Sequence, residues 1–83
     1  MHELSAPLTT ALIGFMGFED RAKLNDALGT ALQGNKTAIG SVAVEHICKA
    51  RVLLHDGERN AESFTSITKA VARAITALQS RNL

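Results

Sequence analysis

Aromatic residues, cysteine and proline are scarce in this sequence of 83 residues. It contains no tryptophan or tyrosine, three phenylalanines, one proline and one cysteine. The lone Cys48 excludes an internal disulfide and is typical of a reducing compartment, although such a cysteine can also bridge two chains. Because aromatic rings are so few, the core must consist of leucine, isoleucine, valine and alanine, and this composition favours closely packed helices.

The sequence also lacks a charge imbalance and a long apolar run. Its net charge is +1, which provides no strong attraction to nucleic acid or to an anionic membrane. The best apolar stretch, residues 8–18, has about eleven residues, whereas a membrane-spanning helix needs about 20. The residues before it include Glu3 and no lysine or arginine, unlike a signal peptide. We therefore expect a cytoplasmic protein without a membrane partner.

Helical periodicity dominates the chain, and no run alternates between apolar and polar residues as a strand would. Glycines and capping residues divide the sequence into four helices, at about residues 7–16, 19–33, 36–55 and 59–82. This pattern predicts a single all-α domain over residues 1–83. The expected architecture is a small bundle of about four helices, with the last two forming a long antiparallel hairpin.

Local signals indicate where these helices begin and end. Gly17 and Gly34 are expected to end the first and second helices. Glu19 and Asp20 are expected in the first turn of the second helix, and Asn35 is the predicted N-cap of the third. A third helix of about 20 residues would be about 30 Å long and would span the whole domain.

Residues 33–40, QGNKTAIG, are similar to a phosphate-binding loop. Gly29 and Gly34 have the spacing of that loop, but Asn35 separates Gly34 from Lys36, whereas the lysine should follow the glycine directly. Such a loop also follows a buried strand, and the residues before this one have a helical pattern. We therefore expect a turn between two helices here, without a bound nucleotide or other cofactor.

Candidate metal ligands and catalytic groups do not converge in the predicted helices. His46 points about 160° away from Cys48, and Cys48 and His55 lie about 10 Å apart along a helix axis. A zinc ion needs ligands at about 2 Å, usually four of them. The acidic residues mostly lie on polar faces or at helix ends. We therefore expect no metal, no catalytic residue and no enzymatic activity.

The third predicted helix has more apolar residues than one buried face requires. Its core face is predicted to contain Ile39, Val42, Ala43, Ile47, Ala50, Leu53 and Leu54. Val44, Cys48 and Val52 form a second strip on roughly the opposite side. Two explanations stay open at this point. Either this helix is central and covered on both sides, or the second strip contacts another copy or another protein.

The first predicted helix raises the same question. Its apolar face is broad and carries two of the three phenylalanines, Phe15 and Phe18. The full set on that face is Leu8, Ala11, Leu12, Phe15, Met16 and Phe18. This helix either covers the core of its own domain or docks on a partner.

These features favour a small non-enzymatic regulator, an inhibitor or adaptor that places an apolar helix surface against a larger protein. A homodimer is expected, and small bacterial or phage-encoded modulators are the class of protein that such chains belong to by analogy. The residues predicted to contact a partner are Val44, Cys48, Val52, Arg51, His55, Phe15 and Phe18.

Two alternative functions stay open. The first is a DNA-binding transcriptional regulator with a helix-turn-helix at about residues 20–55, in which Lys36, Thr37 and Ser41 would begin the recognition helix. Lys36 is the one positive charge among these three, whereas DNA binding usually uses several contacts between basic side chains and phosphates. Lys69 and Arg73, with Arg59, form a sparse basic strip that a solvated face explains equally well. The second alternative is a co-chaperone for a helical client.

Overall fold

The computed structural model of the chain describes residues 5–33 and 40–80. These residues form four helices and no strand, so the predicted all-α class is confirmed. In chain order the helices are α1 (Ser5–Phe18), α2 (Arg21–Gln33), α3 (Ser41–Asp56) and α4 (Ala61–Ser80).

The end of α1 differs from the prediction. The helix continues through Gly17 to Phe18, and Glu19 takes the left-handed conformation with φ 50° that usually ends a helix at glycine. The Glu19 amide donates to the Phe15 carbonyl over 2.8 Å, which satisfies one of the last carbonyls of α1. Gly17 is therefore a helical residue. Glu19 adopts the left-handed conformation, which is less costly for glycine than for any other residue.

The start of α2 is set by a side-chain cap. Asp20 accepts a hydrogen bond from the Lys23 amide over 3.1 Å, as an N-cap residue does. Glu19 and Asp20 thus form the connection between the two helices and do not belong to the first turn of α2, where the sequence pattern placed them.

Helix α3 is shorter than expected because Gly40 lies outside it. Gly40 has φ 86°, a conformation that favours glycine, and α3 begins at the next residue, Ser41. Its 16 residues correspond to about 24 Å, which is less than the 35 Å length of the molecule. The predicted 20-residue helix that spans the domain is therefore wrong. The predicted cap Asn35 lies outside the described residues.

The connection between α3 and α4 is tightly fitted. The Gly57 amide donates to the Leu53 carbonyl over 3.0 Å, and a Cβ at Gly57 would lie only 2.5 Å from that carbonyl oxygen. Asn60 and Ser63 then cap α4 reciprocally. The Ser63 amide donates to Asn60 Oδ1 over 2.8 Å, and the Asn60 amide donates to Ser63 Oγ over 3.2 Å. Helix α4 consequently starts at Ala61, close to the predicted start at residue 59.

The helices form a ring in which each packs mainly on two others. Helix α1 contacts α2 and α4, and α3 contacts the same two helices. The contact between α3 and α4 is the most extensive, while their arrangement as a long antiparallel hairpin stays a prediction. The enclosed core consists of Phe15 and aliphatic residues, as the composition required: Leu8, Ala11, Leu12, Leu24, Leu28, Ala31, Ala43, Ile47, Ala50, Ile67, Ala70, Val71, Ala74, Ile75 and Leu78.

Candidate interaction surfaces

Helix α1 carries no charged residue and is apolar on more than one side. Its inner side is buried against α2 and α4. On its other sides Ile13, Met16 and Phe18 are 65%, 54% and 89% exposed. Only Val42 and Val52 are comparably exposed large apolar residues elsewhere in the described chain. We call the surface formed by Ile13, Met16 and Phe18 the outer α1 surface.

Two glycines leave the backbone of α1 accessible at this surface. A Cβ added to Gly14 or to Gly17 would meet no side chain or neighbouring helix of the described chain within 4 Å. A partner could therefore approach the backbone of α1 closely at these two positions, since no side chain stands there.

The two phenylalanines of α1, both predicted as partner contacts, have opposite environments. Phe15 is completely buried and stacks on Phe64 of α4, with ring centroids 4.9 Å apart and an interplanar angle of 19°. Phe15 is therefore a core residue and not the partner contact that was predicted, because its ring fills the space between α1 and the start of α4. Phe18 extends into solvent from the last residue of the helix.

The predicted second strip of α3 is divided between core and solvent. Val44 is half-buried and packs on the core, whereas Cys48 is exposed and Val52 is 58% exposed. Neither a fully covered helix nor a fully exposed strip therefore describes it. Helices α2 and α4 contact α3, and of this strip only Val44 packs against the core that they form.

The predicted core face of α3 also needs one correction. Ala43, Ile47 and Ala50 are buried, and Leu53 and Leu54 pack partly against the core. Val42, however, is 56% exposed. It lies in the first turn of α3 beside Ala72, Thr76 and Ala77 of α4, whose small side chains do not cover it. Ile39 lies outside the described residues.

Arg51 and His55, which border the strip, are both exposed. The Arg51 guanidinium lies over Gly29 of α2, where an added Cβ would be 3.8 Å from Arg51 Nη2. His55 Nδ1 lies 2.9 Å from Asp56 Oδ1, and both side chains are solvated. These contacts leave both side chains on the surface, next to Val52.

Residues considered for ion or nucleotide binding are dispersed. Within the described residues no three or more His, Cys, Asp or Glu side chains are grouped to hold a metal. Gly29 is helical, in the interior of α2, so the first glycine of the phosphate-loop near-match is not in a loop. Lys36 lies outside the described residues.

A cavity of about 480 Å³ opens at the end of the molecule where α1 meets α2 and α4 begins. Its charged lining residues are Glu19, Arg21 and Arg59. Arg21 Nη2 donates to the Leu54 carbonyl over 3.2 Å, so part of this guanidinium links α2 to α3. The cavity thus combines both signs of charge, and its lining in the described part of the chain includes no histidine or cysteine.

The helix-turn-helix expected at about residues 20–55 depends on the connection between α2 and α3, of which residues 34–39 lie outside the described part of the chain. Ser41 is the first residue of α3, and Lys36 and Thr37 lie outside the described residues. DNA binding and the co-chaperone role both stay hypotheses.

No protein-family model matches this chain, and no curated protein or solved structure shows a significant similarity to it. Among the helices in residues 5–33 and 40–80, none combines the length and apolar character needed to cross a membrane.

Sequence reasoning missed Ile13 and assigned Met16 to the core face. A signal was available, because α1 has apolar residues on several sides and no charged residue to mark a solvent side. Helical periodicity alone could not identify which of its apolar sides is buried.

Proposed function

We propose that this protein is a non-enzymatic regulator, an inhibitor or adaptor, that binds a larger protein through the outer α1 surface. The observation that carries the proposal is the exposure of Ile13, Met16 and Phe18 on a helix without charge. Soluble monomers rarely expose several large apolar side chains together, and Ile13 and Met16, three residues apart on α1, form an adjacent pair, with Phe18 at the end of the helix. A cytoplasmic location is part of the proposal and is supported by the single, exposed Cys48.

The outer α1 surface supplies part of the free energy that specific binding needs. Complete burial of one large apolar side chain contributes about 1.5–3 kcal/mol, so burying the exposed parts of these three contributes on the order of 3–6 kcal/mol. Association costs reduce that sum, so backbone contacts at Gly14 and Gly17 would have to add to it. Cys48 and Val52 supply a second, smaller apolar area on α3.

A homodimer is included in the proposal because the same apolar surface exists on every copy. Self-association buries the outer α1 surface until the partner replaces one copy. The dimer and the complex would then compete, and the partner's apparent affinity would fall as protein concentration rises.

The test uses the double variant Ile13→Glu/Met16→Glu and the control Thr65→Glu/Gln79→Glu. Both replace two exposed helical residues by glutamate, the control on the solvent side of α4. Molar mass is measured by light scattering over a concentration series. Each tagged protein is also used for quantitative affinity capture from the source cell.

We expect the α1 variant to keep native helicity and to lose both self-association and a captured protein that the wild type and the control retain. A captured protein retained equally by the α1 variant would contradict the proposal. If the double variant loses helicity, Phe18→Ser, which adds no charge at a residue that is 89% exposed, is measured in its place. Self-association and capture that are unchanged in folded Phe18→Ser would then contradict the proposal.

A further inference from the structure

A second surface, between α3 and α4, concentrates positive charge. His46 and Lys49 of α3 lie beside Lys69 and Arg73 of α4 around a depression of about 80 Å³. Ser66 and Ala70 complete its lining. The sequence showed only a sparse basic strip on the last helix, since the contribution of α3 depends on how the two helices pack. We call this depression and its continuation the α3–α4 groove.

No carboxylate in residues 5–33 or 40–80 makes an ion pair with these basic groups. The only ion pair in the described residues joins His55 to Asp56, and no acidic residue among them lines the depression. The closest acidic positions along the two helices are Glu45, directly before His46 and four residues before Lys49, and Glu62, seven residues before Lys69. Neither makes an ion pair with the basic cluster.

The groove continues into an apolar region. His46 and Arg73 also border a wider, shallower depression of about 370 Å³ that is lined by Val42, Ala72, Thr76 and Ala77. Val42 is one of the exposed large apolar residues of the chain. Positive charge and uncovered apolar surface are thus adjacent along one groove.

We infer that the α3–α4 groove binds an acidic segment of a partner protein that carries apolar side chains beside its carboxylates. The guanidinium of Arg73 can hold a carboxylate with two parallel hydrogen bonds, and Lys49 and Lys69 supply point charges around it. An apolar side chain of the segment would cover Val42 and Ala77. Charge complementarity would fix the register and speed association.

The combination favours an acidic protein segment over nucleic acid. A phosphate backbone offers nothing to the apolar half of the groove, and a net charge of +1 supplies few phosphate contacts beyond the cluster. A short protein segment can supply a few carboxylates together with apolar side chains.

This inference does not depend on the outer α1 surface, which involves other residues. If both surfaces are used, the protein can hold two partners at once, one through apolar contacts and one through charge. That arrangement suits an adaptor more than a simple inhibitor.

The experiment uses a fluorescent 16-residue helical peptide that carries glutamates in one half of its length and leucines in the other half, along the same side. The same peptide with glutamines in place of the glutamates and a 16-base-pair DNA duplex are the comparison probes. Binding is measured by fluorescence anisotropy at low and physiological salt. The tested variant is Lys69→Gln/Arg73→Gln, and Lys23→Gln/Arg59→Gln removes the same two charge types elsewhere.

We expect the wild type to bind the glutamate peptide about tenfold more tightly than the glutamine peptide. Lys69→Gln/Arg73→Gln should lose that preference, and Lys23→Gln/Arg59→Gln should keep affinity within about twofold. Amide NMR shifts on binding should map to Val42, Ser66 and Ala77. These variants leave α1 intact, so their failure is separable from failure of the outer α1 surface.

The inference is overturned if the wild type does not bind the glutamate peptide at low salt, or if both peptides bind equally. Equal loss in the two charge variants would overturn it too, because attraction by net charge alone would then explain the binding. Tighter binding of the duplex than of the peptide would assign the groove to nucleic acid.

Discussion

Helices α1 and α4 pack against one another but differ in how their sequences divide between core and solvent. Helix α4 buries six residues at helical spacing, Ile67, Ala70, Val71, Ala74, Ile75 and Leu78, and turns Lys69 and Arg73 outward. Helix α1 buries Leu8 and Phe15 on one side and leaves Ile13 and Met16 exposed on others.

This difference shows what the neighbours of a helix can and cannot cover. Each helix in the ring has two main neighbours, and these suffice to bury one side. In α4 the sequence is polar where neighbours are missing, so burial and hydrophobicity coincide. In α1 they do not coincide, and the excess apolar surface has no explanation within the described fold. Interaction with another chain is the explanation that we propose.

Replacing one isoleucine of each helix by glutamate, Ile67 in α4 and Ile13 in α1, tests this difference most strongly. Ile67→Glu places an unpaired carboxylate at a fully buried position and should cost at least about 3–5 kcal/mol, enough to abolish cooperative unfolding of a domain this small. Ile13→Glu should change the free energy of unfolding by less than about 0.5 kcal/mol. Urea denaturation followed by circular dichroism measures both. Similar losses in the two variants would show that α1 has no free apolar side.

The cap of α4 provides a second, smaller test. Asn60→Ala removes the side-chain acceptor of the Ser63 amide and should destabilise the protein by about 1 kcal/mol. Gln79→Ala, an exposed change in the last turn of the same helix, should have little effect. The midpoints of urea unfolding compare the two variants. No loss in Asn60→Ala would indicate that packing alone fixes the start of α4.

Gly14→Ala in α1 should have the smallest effect and the opposite sign. Glycine disfavours a helix interior by about 0.5–1 kcal/mol relative to alanine, and the new methyl group would meet no side chain or neighbouring helix of the described chain within 4 Å. The variant should therefore unfold at a higher urea concentration. If a partner approaches the backbone at Gly14, the same variant should bind it less tightly. Higher stability together with unchanged partner affinity would show that Gly14 is not part of the interface.

The sequence was sufficient to predict four helices. Helical spacing also predicts an apolar stripe on the last helix, Phe64, Ile67, Val71, Ala74, Ile75 and Leu78, and all of these are buried except the half-buried Phe64, because periodicity and polarity agree along that helix. The sequence was also sufficient for Ala43, Ile47 and Ala50 of α3. These predictions depend on spacing within one helix, which the chain encodes directly.

Features that depend on backbone conformation or on two helices at once could not be predicted. Gly40 has a positive φ and lies outside α3, so the helix begins later than predicted. Glu19 takes a left-handed conformation that sequence patterns assign to glycine. The exposure of Val42 follows from the small residues of α4 beside it. The α3–α4 groove combines His46 and Arg73, which are far apart in the sequence. The partner roles of Cys48, Val52 and Phe18 stay predictions.

The solvated ring of Phe18 also has a practical consequence. Without tryptophan or tyrosine, the chain absorbs almost no light at the wavelengths that excite those residues, so the protein is optically dark there. Phe18→Trp would introduce one indole at a position that is 89% exposed. Its emission would shift to the blue whenever that end of α1 became covered, and no other signal from the protein would obscure the change.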